Sequence, residues 1–243
     1  MTLKKKDFIE IEFTGKVKDG EIFDSNIKKD LENAKLDFEP KPFVFSLGEG
    51  MFLKGVEDFL IGKEVGKYNI ELSPEKAFGN REPKLIQVVS MKVFREQKMN
   101  PIQGAMFNFD GRLAKILSVS GGRVIVDFNN PVAGKDVVYE IKILRKVDDI
   151  NEKTKALIQF LFKRDLNFEI NEKKVILKVE KELVKFVELF KDKFKDILGL
   201  ELEATPIGVP SDTLKSTSEG KEALKKKEEG KEEKQDQEKD NKE

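Results

Sequence analysis

The chain contains no histidine, no cysteine and no tryptophan among its 243 residues. Without cysteine there is no disulfide framework and no thiol nucleophile, so redox and cysteine-based enzymes are excluded. Without histidine there is no His-based triad, no zinc site of the usual ligand set, and no imidazole general base. No run of about 18 apolar residues occurs, so no membrane span is expected. The opening MTLKKKDFIEIEF lacks the apolar core of a secretory signal, and a soluble cytoplasmic protein is the expectation. An excess of one charge is missing too. Lys and Arg number 46 against 46 Asp and Glu, so no global positive field argues for a nucleic-acid partner.

What is present is apolar patterning in separated blocks. Ile9, Ile11 and Phe13 alternate with Glu10 and Glu12, the period of a half-buried strand. Asp19-Gly20 then supplies hairpin chemistry before Ile22 and Phe23. Residues 26–40 are polar and read as a loop or short helix. Phe43, Phe45 and Leu47 alternate as a second strand. Phe52, Leu53, Val56, Phe59 and Leu60 recur at helical spacing, with Gly62 as the stop. Tyr68, Ile70 and Leu72 make a third strand.

From about residue 84 the chain changes character. An apolar stretch over 85–94 precedes two hairpin signals, Asp110-Gly111 and Gly121-Gly122, which predicts a small all-β segment. Val137, Tyr139, Ile141 and Ile143 then alternate as a strand that returns to the first sheet. A domain inserted into another accounts for this order: 1–83 plus 129–148 outside, 84–128 inserted. Residues 150–208 predict a C-terminal α+β domain. In it, 151–163 is a helix with Leu157, Ile158, Leu161 and Phe162 on one face. Stretches 166–170, 175–179 and 200–207 are short strands, and 182–198 is a single amphipathic helix. The wide apolar stripe of that last helix leaves a homodimer through this domain open. Residues 209–243 are Lys/Glu-rich without an aromatic residue, and a disordered tail is expected.

The ordered combination FTG (Phe13), FDS (Phe23, Asp24), LGEG, KGVE (Val56), GK, PEKAFG (Phe78) and VVYEI (Tyr139) resembles the substrate pocket of the FKBP-type peptidyl-prolyl cis-trans isomerases. The gap before VVYEI resembles the insert-in-flap domain of the SlyD-like branch, and the C-terminal region resembles the extra domain of the long archaeal forms. The resemblance implies an α+β fold, an antiparallel sheet wrapped on a short helix. It also implies isomerisation of X-Pro bonds in unfolded or partly folded polypeptides, without metal, cofactor, nucleic acid or membrane. The proline ring would sit over Val56, with Phe13, Phe23, Phe43, Phe52, Leu53 and Tyr139 around it. The Leu53 N–H would hold the substrate carbonyl, Asp24 would lie beside the twisting amide, and Phe78 would close the edge.

Such a catalyst needs no nucleophile. The barrier of about 18–20 kcal/mol is amide resonance, and a dry aromatic box disfavours the charge-separated planar form. Three positions depart from the family pattern. Phe78 and Phe13 stand where many members carry Tyr, and Val56 stands where small eukaryotic members carry Trp. These departures imply lower turnover and weaker binding of macrolide inhibitors. Their limit is a holdase chaperone with little or no turnover. In the insert, Met91, Phe94, Met99, Ile102 and Met106 are expected to form a client-binding surface, since flexible Met side chains accept many sequences. Val93, Phe107 and Phe109 are expected in the insert's own core. The His-rich metal-binding tail of bacterial SlyD-like proteins has no counterpart in a chain without histidine.

Overall fold

The computed structural model of the chain describes residues 2–37, 39–109 and 111–207, and it divides into two compact units after Arg164. Asp110 of the expected Asp110-Gly111 turn and the expected tail at 209–243 lie outside the described residues.

In the first unit the alternating block becomes β1 (Phe8–Val17), which turns at Asp19-Gly20 into β2 (Ile22–Ser25). The polar stretch holds a short helix, α1 (Lys28–Ala34), followed by β3 (Phe43–Ser46), α2 (Lys54–Leu60) and β4 (Lys67–Leu72). The inserted segment comprises β5 (Ile86–Ser90), α3 (Met91–Glu96), β6 (Met106–Phe109), β7 (Arg112–Ser120) and β8 (Arg123–Asp127). The chain then returns through β9 (Val137–Val147) and ends the unit with α4 (Ile150–Phe162).

The main sheet is antiparallel, in the order β2-β1-β9-β4, with β3 also paired to β1. Since β9 lines one edge of β1 from Phe8 to Val17, β3 and β2 share the other edge. The first takes Phe8–Ile11 and the second Thr14–Lys16. Period-2 alternation puts Ile11, Phe13, Tyr139, Ile141 and Ile70 on one face, all buried, and α2 adds Val56 and Leu60 to the same core. Each such side chain contributes roughly 1.5–3 kcal/mol by leaving water. The other face carries ion pairs such as Glu12 with Lys142 and Glu10 with Arg145.

The insert has its own sheet, β5-β8-β7-β6, and its own core of Phe94, Ala114, Ile116, Val124 and Val126. It is not all-β as expected. The Ser90 hydroxyl accepts the Lys92 N–H at 3.2 Å, which starts α3 and turns Phe94 inward. A polar clamp closes the base of the insert. Asn129 accepts the Glu82 N–H at 2.8 Å and donates to the Glu82 carbonyl at 3.2 Å, so one side chain mimics a paired strand. The same Asn129 donates to Asp127, whose other oxygen is paired with Arg81.

The helix at 150–162 was expected to open the C-terminal domain. It packs instead on β3 within the first unit, capped by the Asp149 carboxylate on the Glu152 N–H at 2.8 Å. The second unit is α+β. Its strands are β10 (Asn167–Asn171), β11 (Lys174–Val179) and, after two helices, β12 (Glu201–Pro206), which runs parallel to β11. The single helix expected over 182–198 is broken into α5 (Val184–Glu188) and α6 (Lys191–Leu198). At the break, Leu189 and Phe190 donate to carbonyls three residues back, a tighter winding than the α-helix, and both pieces pack on β12.

Candidate active site

Gly15 on β1 lies opposite Asp24 on β2 and opposite Tyr139 on β9. Directly opposed residues project to one face of a sheet, so Asp24 and Tyr139 flank a position that has no side chain. A Cβ there would stand 2.8 Å from Tyr139 Cε1, 2.9 Å from its Cζ and 3.2 Å from Phe23 Cζ. Glycine at this position allows the tyrosine ring to reach toward the acid.

The rings predicted for the pocket do meet. Tyr139 touches Phe13, Phe23 and Phe52, at centroid separations of 6.1, 5.9 and 5.7 Å. Phe78 meets Phe23 edge-on at 5.4 Å, and Phe43 lies 5.7 Å from Phe52. These offset and edge-to-face arrangements are the favourable ones for aromatic pairs. Phe45, which the sequence showed only as a strand residue, joins the cluster by stacking on Phe43 at 5.4 Å. Within this cluster Tyr139 alone carries a hydroxyl.

Val56 lies wholly beneath the surface, with 0% exposure. Leu53, half-buried, immediately precedes α2. Its carbonyl accepts the N–H groups of Val56 and Glu57, while its own N–H has no acceptor among the described residues. The loop before it is braced by a residue that sequence reasoning missed. Glu57, only 1% exposed, accepts the Phe52 N–H at 2.6 Å and the Gly50 N–H at 3.1 Å. A second omission is Asn26. Its side chain accepts the Phe13 N–H at 2.7 Å and donates to the carbonyls of Ile11 and Lys41 at 2.9 and 3.0 Å. It thereby stitches β1 across the gap between β2 and β3.

Burial raises the pKa of Asp24 above the ordinary carboxylate value, opposed by a bond to the Ser25 backbone. Burial, and then the nearby Asp24 charge, push the Tyr139 phenol upward, so it keeps its proton at any physiological pH. The folded state therefore binds a proton at Asp24 more tightly than the unfolded chain does. Its ionisation lowers stability as pH rises from the ordinary aspartate value through the raised one. If the ionised acid assists turnover, activity should climb with pH through that same raised value. A pH–rate profile that is flat in Asp24→Asn and sloped in the wild type is the expected outcome.

A cavity of about 530 Å³ opens beside the rings, lined in part by Phe13, Phe43 and Phe52; Asp24, Val56 and Phe78 are not part of its wall. In the insert, Ile102 and Met106 are 60% and 42% exposed, and Met91 and Met99 are half-buried against the insert core. Phe94 is buried completely, which corrects its expected place on the client-binding surface. Helix α3 carries it to the centre of the insert, edge-on to Phe107 and Phe109. Val93, expected in that core, is exposed.

Comparison with known proteins matches residues 1–100 to the family described as FKBP-type peptidyl-prolyl cis-trans isomerase. Residues 87–132 match the family described as FKBP26, IF domain. The short-type peptidyl-prolyl cis-trans isomerase of Methanocaldococcus jannaschii is 32% identical over 145 residues, 58% of this chain and 92% of the relative. The FKBP-type 16 kDa peptidyl-prolyl cis-trans isomerase of Escherichia coli is 37% identical over 110 residues, 43% of this chain and 73% of the relative. The FKBP-type peptidyl-prolyl cis-trans isomerase SlyD of Treponema pallidum is 28% identical over 166 residues, 66% of this chain and 86% of the relative.

Proposed function

The chain belongs to the FKBP-type peptidyl-prolyl cis-trans isomerases, and from that membership we propose how its own residues act on an X-Pro bond. The reading rests above all on one observation: a half-buried acid, Asp24, held in register with a buried tyrosine across a glycine at the edge of a ring cluster. The proline enters among Phe13, Phe43, Phe52 and Tyr139, where exclusion of water weakens the planar, charge-separated amide. The unpartnered Leu53 N–H donates to a substrate carbonyl and fixes the chain while the bond turns. Asp24 acts on the twisting amide through its charge. The Tyr139 phenol keeps its proton and donates a hydrogen bond within the pocket, taking over a role that Phe13 and Phe78 cannot fill. Phe78, edge-on to Phe23, closes the rim.

The insert adds chaperone activity. Ile102 and Met106 offer exposed apolar surface, with Met91 and Met99 beside the insert core. The Asn129 clamp ties this domain to the strands that lead back to the pocket. Holding a loosely bound client nearby raises its effective concentration at the rings.

Replacing the insert strands β5–β8 by a short turn tests this division of labour. Turnover of a short X-Pro peptide should survive, while acceleration of a proline-limited refolding reaction falls by about a hundredfold, the lower end of linkage effects. Equal loss on both substrates would overturn the division. Suppression of aggregation without acceleration of either substrate, in the intact protein, would mean a holdase.

A further inference from the structure

We propose that the cavity beside α4 is a subsite for the stretch of client chain that flanks the proline, and that it selects acidic side chains. The proposal rests on the isomerase reading of the ring pocket. The cavity, about 530 Å³, has two walls of different origin. One is the pocket's own outer edge, where Phe13, Phe43 and Phe52 line it, so a polypeptide bound at the rings meets this space as its immediate continuation. The other is a stripe of α4, where Lys155, Ala156, Gln159 and Phe160 recur at three- and four-residue spacing on one helix face, and Lys163, the residue that ends the helix in a left-handed turn, completes the wall.

Both walls are held in place. The Asn26 side chain ties the Lys41 carbonyl to β1. The start of α4 is fixed by its Asp149 cap and by Arg145, which bridges Glu10 and Glu152 at 2.6 and 2.5 Å. The trough is apolar along Phe43, Phe52, Ala156 and Phe160, which suits an extended segment with alternating side chains.

Its charge is one-sided. The carboxylates at the rim are already engaged, Glu152 by Arg145 and Glu39 by Lys41 at 2.8 Å. Lys155 has no carboxylate partner among the described residues, and the Lys163 ammonium sits 4.6 Å from the Phe160 ring centroid. Two ammonium groups beside an apolar trough fit a client whose proline is flanked by apolar residues and an aspartate or glutamate.

The test uses the full chain and three peptides: a short X-Pro peptide, a longer one with a glutamate in its flank, and the same peptide with lysine there. The wild type should show a KM for the glutamate peptide roughly three- to tenfold below that for the lysine peptide, the size of one or two exposed ion contacts, and added salt should shrink the gap. Lys155→Glu combined with Lys163→Glu changes two exposed positions and should reverse the preference while leaving turnover of the short peptide unchanged. Phe160→Ala, which removes an apolar wall, should raise KM for both long peptides and spare the short one. An unchanged preference in the charge-reversed protein overturns the subsite, as does a loss of short-peptide turnover in it. Failure of the underlying reading looks different: the wild type then accelerates none of the three peptides.

Discussion

Gly15→Ala is expected to cost more than roughly tenfold in kcat/KM on a short X-Pro peptide, although alanine adds a single methyl group. That methyl would stand 2.8 Å from one carbon of the Tyr139 ring and 3.2 Å from Phe23. Tyr139 is 1% exposed and packed against three phenylalanines, so it has no free volume into which to retreat. Overpacking of this kind costs about 1–3 kcal/mol of stability. The displaced rings are the proposed walls of the pocket, and a loss of about 1.4 kcal/mol of transition-state stabilisation is already tenfold in rate. Steady-state kinetics and thermal unfolding on the same variant separate the two effects. Wild-type turnover in a destabilised Gly15→Ala would mean that these rings form core and not pocket.

Glu57→Ala should have a comparable effect by another route. The carboxylate satisfies two backbone N–H groups, those of exposed Gly50 and half-buried Phe52, directly before Leu53. Removing it leaves the Phe52 N–H without its acceptor, at up to about 1–3 kcal/mol, while the N–H of exposed Gly50 turns to water. The loop then relaxes, and the Leu53 N–H moves away from the direction in which it would meet a substrate carbonyl. Glu57 touches no substrate in this account; it positions Leu53. The loss should therefore lie in kcat more than in KM, and Glu57→Gln, which keeps one accepting oxygen, should recover part of it. A purely structural role would lower the melting temperature of both variants without that graded recovery in kcat.

The parts of the molecule that were legible in the sequence share a physical cause. A strand with one buried face writes its burial as alternation. Ile9 to Phe13, Phe43 to Leu47 and Val137 to Ile143 could therefore be read directly, and the last of these could be assigned to the first sheet across the insert. Asp24 and the phenylalanines could be grouped as one candidate site because the order of short motifs around them is distinctive, and the fold brings the rings together. Glu57 and Asn26 could not. Each acts on backbone groups distant in sequence or out of periodic step, such as Phe13 and Ile11 for Asn26, and a polar side chain bonded to backbone leaves no pattern. Phe94 was misplaced because an apolar residue in a short helix gives no sign of which way it turns. That was decided by Ser90 capping α3. The α4 stripe was missed because it is mixed, lysine and glutamine beside Phe160, while the apolar Leu157 and Ile158 dominate the helix pattern. The break between α5 and α6 arises from three-residue hydrogen bonds at Leu189 and Phe190, which the continuous apolar stripe concealed.

In the proposed mechanism isomerisation takes place beside Asp24, and NMR exchange spectroscopy on a short X-Pro peptide reads that step without a coupled reaction. Uncatalysed exchange takes on the order of tens to hundreds of seconds, so even slow catalysis is visible. The wild type should bring exchange into the measurable range, and Asp24→Ala should slow it by about a hundredfold while the fold is retained, the lower end of the loss expected when one electrostatic contact to a transition state is removed. Equal acceleration by wild type and Asp24→Ala would contradict the account and place the chemistry elsewhere.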